Sequence, residues 1–213
     1  MAADEALCEL LAQLSTKLDG ALAVLTGRTV AEADRILRGA VACVGGLHGA
    51  QLRNSQRRMT SDLPRPADWS NARAAVERLI GSGEITANLE DKGGALALHY
   101  RHAPGHASSV RAAVQAIADA HDLRVLHGKM VSELLPFGDT KGTAVHTLMQ
   151  GLPFAGRLPV TIGDDITDED AFAAANEMNG VSVLVGAPRP THARCNIPNV
   201  SAVRAWLSAA VAK

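Results

Sequence analysis

Aromatic residues are scarce in this chain, at 3% of 213 residues. That leaves few stacking platforms for nucleic-acid bases. Basic charge is not in excess either: 21 Lys and Arg face 22 Asp and Glu, for a formal net charge of −1. A nucleic-acid binder would show a basic surplus or stripe, so that class of partner is excluded. Cysteine is limited to Cys8, Cys43 and Cys195, odd in number, far apart and without a CxxC pair. Neither a zinc site nor a disulfide framework is indicated, and a reduced, cytoplasmic setting fits. No apolar run approaches the ~18 residues of a membrane span. The start, Met-Ala-Ala-Asp-Glu, is acidic and lacks the basic region of a signal peptide. The expectation is a cytoplasmic monomer with no membrane partner. Hydrophobic residues make up 47% and charged residues 20%, mostly Ala, Leu and Val on the apolar side, which suits an α/β protein with buried strands.

Periodicity divides the chain into three stretches. Leu7, Leu10, Leu11, Leu14 and Leu18 recur at helical spacing and predict a helix over 4–18. The apolar run 21–25 predicts a buried strand that turns at Thr26-Gly27-Arg28, and Thr29 with Glu32 forms a capping-box signature for the next helix. A second strand is expected at 41–44, with 47–52 extended. The middle reads as helix 67–80, strands 85–90 and 95–100 around Asp91-Lys92-Gly93-Gly94, helix 106–120, and strands 123–126 and 130–135. This is a small α+β unit. The last third alternates helix 141–149, strand 159–162, helix 167–176, strand 181–185 and helix 200–211, the rhythm of a mostly parallel sheet. The expected organisation is one α/β core from residues 1–52 and 138–213, interrupted by an inserted α+β cap at 53–137.

Chemistry concentrates at strand ends. Asp164, Asp165, Asp168, Glu169 and Asp170 fall within seven positions, directly after an apolar strand. Ligand sites of parallel sheets lie beyond the carboxyl ends of strands, and carboxylates there suit a hard cation such as Mg²⁺. An acidic helix N-terminus accounts equally for Asp168, Glu169 and Asp170, but less well for the Asp164-Asp165 pair. Thr26-Gly27-Arg28 offers a hydroxyl and a helix start to a phosphate oxygen, or is an ordinary strand–turn–helix connection. Lys141, in the first turn of a helix, could neutralise a transferring phosphoryl group or be a solvated lysine. In the middle unit Glu90, Lys92, His99, Arg101, Lys129 and Glu133 alternate along the strands. They line either a pocket for a hydroxyl-rich ligand or a solvated sheet face.

Taken in order, Leu25-Thr26-Gly27-Arg28, Gly46-Leu47-His48-Gly49-Ala50, Leu89-Glu90-Asp91-Lys92, Leu98-His99-Tyr100-Arg101, Gly128-Lys129-Met130-Val131-Ser132-Glu133, Thr140-Lys141-Gly142 and Gly163-Asp164-Asp165-Ile166-Thr167-Asp168-Glu169-Asp170 resemble the trehalose-phosphate phosphatase branch of the haloacid-dehalogenase superfamily. The resemblance implies a Rossmann-like core with a parallel sheet and a cap. It implies Mg²⁺-dependent hydrolysis of trehalose 6-phosphate to trehalose and phosphate, a step of trehalose biosynthesis. By that resemblance Thr26 and Lys141 are the catalytic residues that hold the phosphoryl group. Asp164, supported by Asp165 and Asp168, binds the metal. Glu90, Lys92 and Glu133, with Arg28 and His48, contact the substrate.

The family pattern opens with a strand ending in Asp-x-Asp-Gly-Thr, whose first Asp is the nucleophile and whose second is the general acid and base. These 213 residues do not contain that motif, so the first strand of the core sheet is expected to be missing. Asp19-Gly20 is a decoy, with Lys17 where the first Asp should stand, and reads as a helix-to-strand turn; Asp4 falls in the first turn of a helix. A misassigned start, a truncated gene, a non-catalytic sugar-phosphate binder and a phosphatase for another sugar phosphate all remain open at this point.

Overall fold

The structure, a computed structural model, describes residues 4–61, 69–136, 138 and 140–212. The chain divides into two compact units, one of Met1–Asp62 with Asp139–Lys213, the other of Leu63–Gly138.

In the first unit α1 (Glu5–Lys17) starts on Asp4, whose carboxylate accepts from the Leu7 amide at 2.8 Å, and it buries Cys8, Leu11 and Leu14. Strand β1 (Ala23–Leu25) pairs in parallel with β2 (Cys43–Gly46), and between them lies α2 (Val30–Leu37), opened by the Thr29–Glu32 capping box. The extended stretch expected at 47–52 is instead a tight turn, Leu47–Gly49, followed by β3 (Gln51–Arg53) and β4 (Met59–Ser61), which run antiparallel. Arg53 explains why this hairpin stays with the first unit. Its buried guanidinium donates to the Ala42 carbonyl at 2.9 Å, the Val41 carbonyl at 3.1 Å and the Asp34 carboxylate. The Arg53 hydrogen bond holds the Asp34 carboxyl below the usual carboxylate range.

The C-terminal half of the unit supplies α5 (Lys141–Gln150), β9 (Val160–Gly163), α6 (Glu169–Glu177), β10 (Val181–Val185), β11 (Cys195–Ile197) and α7 (Val200–Ala212). These strands form a second sheet, β11-β10-β9, parallel throughout. Among the described residues the core's strands therefore form two sheets rather than one. β1 is the outer edge of the first and β9 the outer edge of the second. Helix α7 docks on α1, where Arg204 meets Asp4 at 2.7 Å and Lys17 reaches the Val211 carbonyl at 3.2 Å. No described helix is long and apolar enough to cross a membrane.

The second unit has α3 (Trp69–Gly81), β5 (Asn88–Asp91), β6 (Leu96–His99), α4 (Ala107–Ala120), β7 (Leu123–Gly128) and β8 (Val131–Pro136). Its antiparallel sheet has the order β5-β6-β8-β7. Leu96, Leu98 and Tyr100, alternating along and just past β6, are fully buried with Val76 of α3 and Val110 and Val114 of α4. The other face carries the polar residues, as strand alternation dictates.

Candidate functional site

Thr26 follows β1 directly. Its hydroxyl accepts from the Arg28 amide at 3.2 Å, which shapes the turn, and its carbonyl accepts from the His48 amide at 2.9 Å. The Leu47 amide donates to the Arg28 carbonyl at 2.8 Å. Leu47 and His48 are both left-handed, at φ 47° and 59°. Two consecutive non-glycine residues in that region cost on the order of 1–3 kcal/mol each, strain that tends to gather at functional sites. His48 is buried, and its ring lies over Gly27: a Cβ there would stand 2.5 Å from Nε2. The Arg28 side chain is exposed.

Gly49 joins this turn to the head of α5. Its φ is +111°, and a Cβ on it would stand 2.2 Å from the Thr140 carbonyl oxygen. Replacing Gly49 with Ala is expected to lower stability by about 2–4 kcal/mol, through left-handed strain and overpacking together, read as a lower midpoint in a urea melt. Thr140 caps α5 by accepting from the Gly142 and Thr143 amides at 3.1 and 3.2 Å. The next residue is Lys141.

Lys141 is 7% exposed and donates from Nζ to Asp168 Oδ1 at 2.6 Å. Asp168 is 8% exposed, and its Oδ2 accepts from the Asp164 and Asp165 amides at 2.9 and 3.0 Å. A charged pair removed from water depends on further hydrogen bonds, and here the two backbone amides supply them on the Asp168 side. Gly163 makes room for it, since a Cβ would stand 2.2 Å from Asp168 Cγ. Gly142 lets α5 approach the Asp170 carbonyl, 2.7 Å from where its Cβ would be. A continuous chain of contacts thus runs from Thr26 through His48, Gly49 and Thr140 to Lys141, Asp168 and Asp164.

The three carboxylates expected to serve a metal differ in their surroundings. Asp168 has both oxygens engaged and faces inward, so it positions Lys141 and the Asp164-Asp165 backbone. Asp165 is exposed and caps the turn Ile166–Asp168, accepting from the Ile166 amide at 2.7 Å. Asp164 is exposed, and its carboxylate has no hydrogen-bond or ion-pair partner among the described residues. No three His, Cys, Asp or Glu side chains converge as a metal cluster among those residues.

The remaining expected residues share one face of the second unit's sheet. Glu90 and Glu133 both register with Ala97. Lys92 donates to Glu133 at 2.7 Å, with both side chains largely buried, and His99 meets Glu90 at 2.8 Å. Lys129 and Arg101 appear in none of these pairs. The inward role of Asp168 escaped the sequence reading, because an acidic helix start looks the same whether its carboxylate faces solvent or a buried lysine. The only signal was Lys141 itself, a cation placed against the dipole at a helix N-terminus.

Asp19 is the turn the sequence suggested. It has φ 52°, its side chain is 81% exposed, and it meets Arg157 at 3.1 Å. It precedes β1, at the opposite end of that strand from Thr26. Asp4 caps α1 and pairs with Arg204.

The family model described as "Trehalose-phosphatase" matches residues 1–199. A probable trehalose-phosphate phosphatase of Sinorhizobium fredii is 38% identical over 92% of this chain and 74% of its own length. The trehalose-6-phosphate phosphatase of Escherichia coli is 36% identical over 91% of this chain and 73% of its own. In fold, the chain superimposes on the C-terminal domain of trehalose-6-phosphate phosphatase from C. albicans with a TM-score of 0.82, at 21% identity, covering 99% of this chain and 84% of that one. With its α/β core of the haloacid-dehalogenase type, its cluster at the strand ends and an α+β unit within the chain, the protein belongs to the trehalose-phosphatase family.

Proposed function

We propose that the first unit binds the phosphoryl group of trehalose 6-phosphate together with Mg²⁺ at the carboxyl ends of β1 and β9. The observation that carries this reading is Asp168. It fixes the Lys141 ammonium and the Asp164 backbone at one point, leaving the Asp164 carboxylate free among the described residues. Thr26, at the carboxyl end of β1, offers its hydroxyl to a phosphoryl oxygen. Lys141 supplies fixed positive charge in a water-poor setting, where it acts more strongly than in solvent.

The donor set fits Mg²⁺, which takes one or two carboxylates and keeps waters and phosphate oxygens. Asp164 would hold it, with Asp165 beside it, and the ion would neutralise charge on the phosphoryl group. Glu90, Lys92 and Glu133 would grip sugar hydroxyls, and Arg28 and His48 would border the phosphate. The same reading gives a cytoplasmic monomer. Turnover further needs an aspartate nucleophile, a role for which Asp19 stands at the wrong end of β1.

Calorimetric titration with trehalose 6-phosphate tests the binding. Mg²⁺ should tighten it in this chain, and Asp164→Asn should remove that enhancement while leaving the melting curve unchanged. Hydrogen bonds and contacts to charged groups of about 1.5–3 kcal/mol correspond to a roughly 10–100-fold weakening. Mg²⁺-enhanced binding that survives Asp164→Asn would defeat the assignment.

A further inference from the structure

The segment between β10 and β11 is tied along α6 by side chains from that helix. Asn176 donates to the His192 carbonyl at 2.7 Å and accepts from the buried Ser182 hydroxyl at 2.7 Å, which in turn accepts from the Arg194 amide at 3.0 Å. At the head of α6 the Glu169 carboxylate, 13% exposed, accepts from the Thr191 hydroxyl at 2.9 and 3.0 Å and from the His192 amide at 2.7 Å. It also pairs with Arg189 Nη1. Arg189 stands between Pro188 and Pro190, and a following proline biases its backbone towards the extended form. Its second nitrogen, Nη2, leaves this segment altogether and donates to the Asp165 carbonyl at 3.0 Å.

We propose that Arg189, aimed by Glu169, is a positioning residue for the turn that carries Asp164 and Asp165. The inference rests on the Mg²⁺ reading of those two carboxylates given above. Asp168 fixes the Asp164 and Asp165 amides. Arg189 takes the next peptide group by its carbonyl, which also accepts from the Asp168 amide at 3.1 Å. The amide of that same peptide group, Ile166 N–H, donates to Asp165 Oδ1 at 2.7 Å. Its orientation therefore sets where the Asp165 carboxylate stands beside Asp164. Thr191 and His192 suffice to tie the segment to Glu169, so a purely structural tie has no use for the Nη2 bond. Hydrogen bonds behind metal-binding carboxylates are worth about 10–100-fold in metal affinity.

Lysine at position 189 keeps the charge and can pair with Glu169, but it has one nitrogen in place of the rigid fork. Arg189→Lys should keep the melting curve and speed amide hydrogen exchange at Ile166 and Asp168 in the metal-free chain. It should also cut by about tenfold the gain in trehalose 6-phosphate binding that Mg²⁺ brings in a calorimetric titration. Glu169→Gln retains an acceptor oxygen but drops the charge that aims Arg189, and should reduce the same gain. The double variant should fall no further than the larger single loss, because the two residues act in series. Loosening of the segment alone would weaken binding equally with and without Mg²⁺ and leave the gain intact. Three results overturn the inference alone: a gain that survives Arg189→Lys, amide exchange that does not change, or losses that multiply in the double variant. An unsubstituted chain with no gain from Mg²⁺ overturns the metal reading itself, and this inference with it.

Discussion

Asp168→Ala is expected to destabilise the first unit by about 3–5 kcal/mol, because it leaves the buried Lys141 ammonium without a counter-charge. The substitution also strips the Asp164 and Asp165 amides of their acceptor. Domains are stable by only about 5–15 kcal/mol, so such a loss can leave the unit largely unfolded at room temperature. A urea melt followed by circular dichroism measures it. The size of the effect comes from the orphaned cation more than from the lost attraction. Replacing both partners with apolar residues, Lys141→Met with Asp168→Leu, should therefore recover part of the stability that Asp168→Ala removes. A double variant no more stable than the single one would show that the backbone amides, not the lysine, set the cost.

Phosphate release from trehalose 6-phosphate by these 213 residues with Mg²⁺ is expected to stay at background. Covalent phosphoryl transfer needs a carboxylate in line with phosphorus beside Lys141 and Asp164. Asp19 is at the amino end of β1, turned to Arg157, and Asp4 is engaged in capping α1. Enzymatic acceleration of phosphate-ester hydrolysis spans many powers of ten, so the lack of an in-line carboxylate among the described residues separates activity from none. Asp19→Asn should change nothing in the colorimetric assay. Turnover that this substitution abolishes would restore Asp19 as the nucleophile.

Much of this arrangement was legible before any coordinates. The capping box at Thr29 and Glu32 appears as written, and strand 181–185 falls on β10. Both depend on short-range signals, a side chain reaching three residues on or an unbroken apolar run. The β3–β4 hairpin was not legible. Arg53 looks like a surface residue until its guanidinium is seen to satisfy three carbonyl and carboxylate partners from other segments. The β11 strand, three residues that are mostly exposed, carries no alternation to read. At the site, residue identities were visible but their division of labour was not. Asp164 and Asp168 are four residues apart and chemically identical, and only the fold turns one outward and the other onto a lysine.

Gly49 against Thr140 and Lys141 against Asp168 also have a temporal side. The turn at 47–49 and the head of α5 are about ninety positions apart in the chain, and an entire second unit is encoded between them. A ribosome adding roughly 5–20 residues per second needs on the order of 5–20 s to bring α5 through Asp168 out after the first turn has emerged. During that interval Gly49 waits without the Thr140 carbonyl it packs against, and Lys141 and Asp168 are not yet made. Nascent chains of this protein are thus most vulnerable to aggregation before their final third is translated, and helper chaperones would have most to hold at that stage.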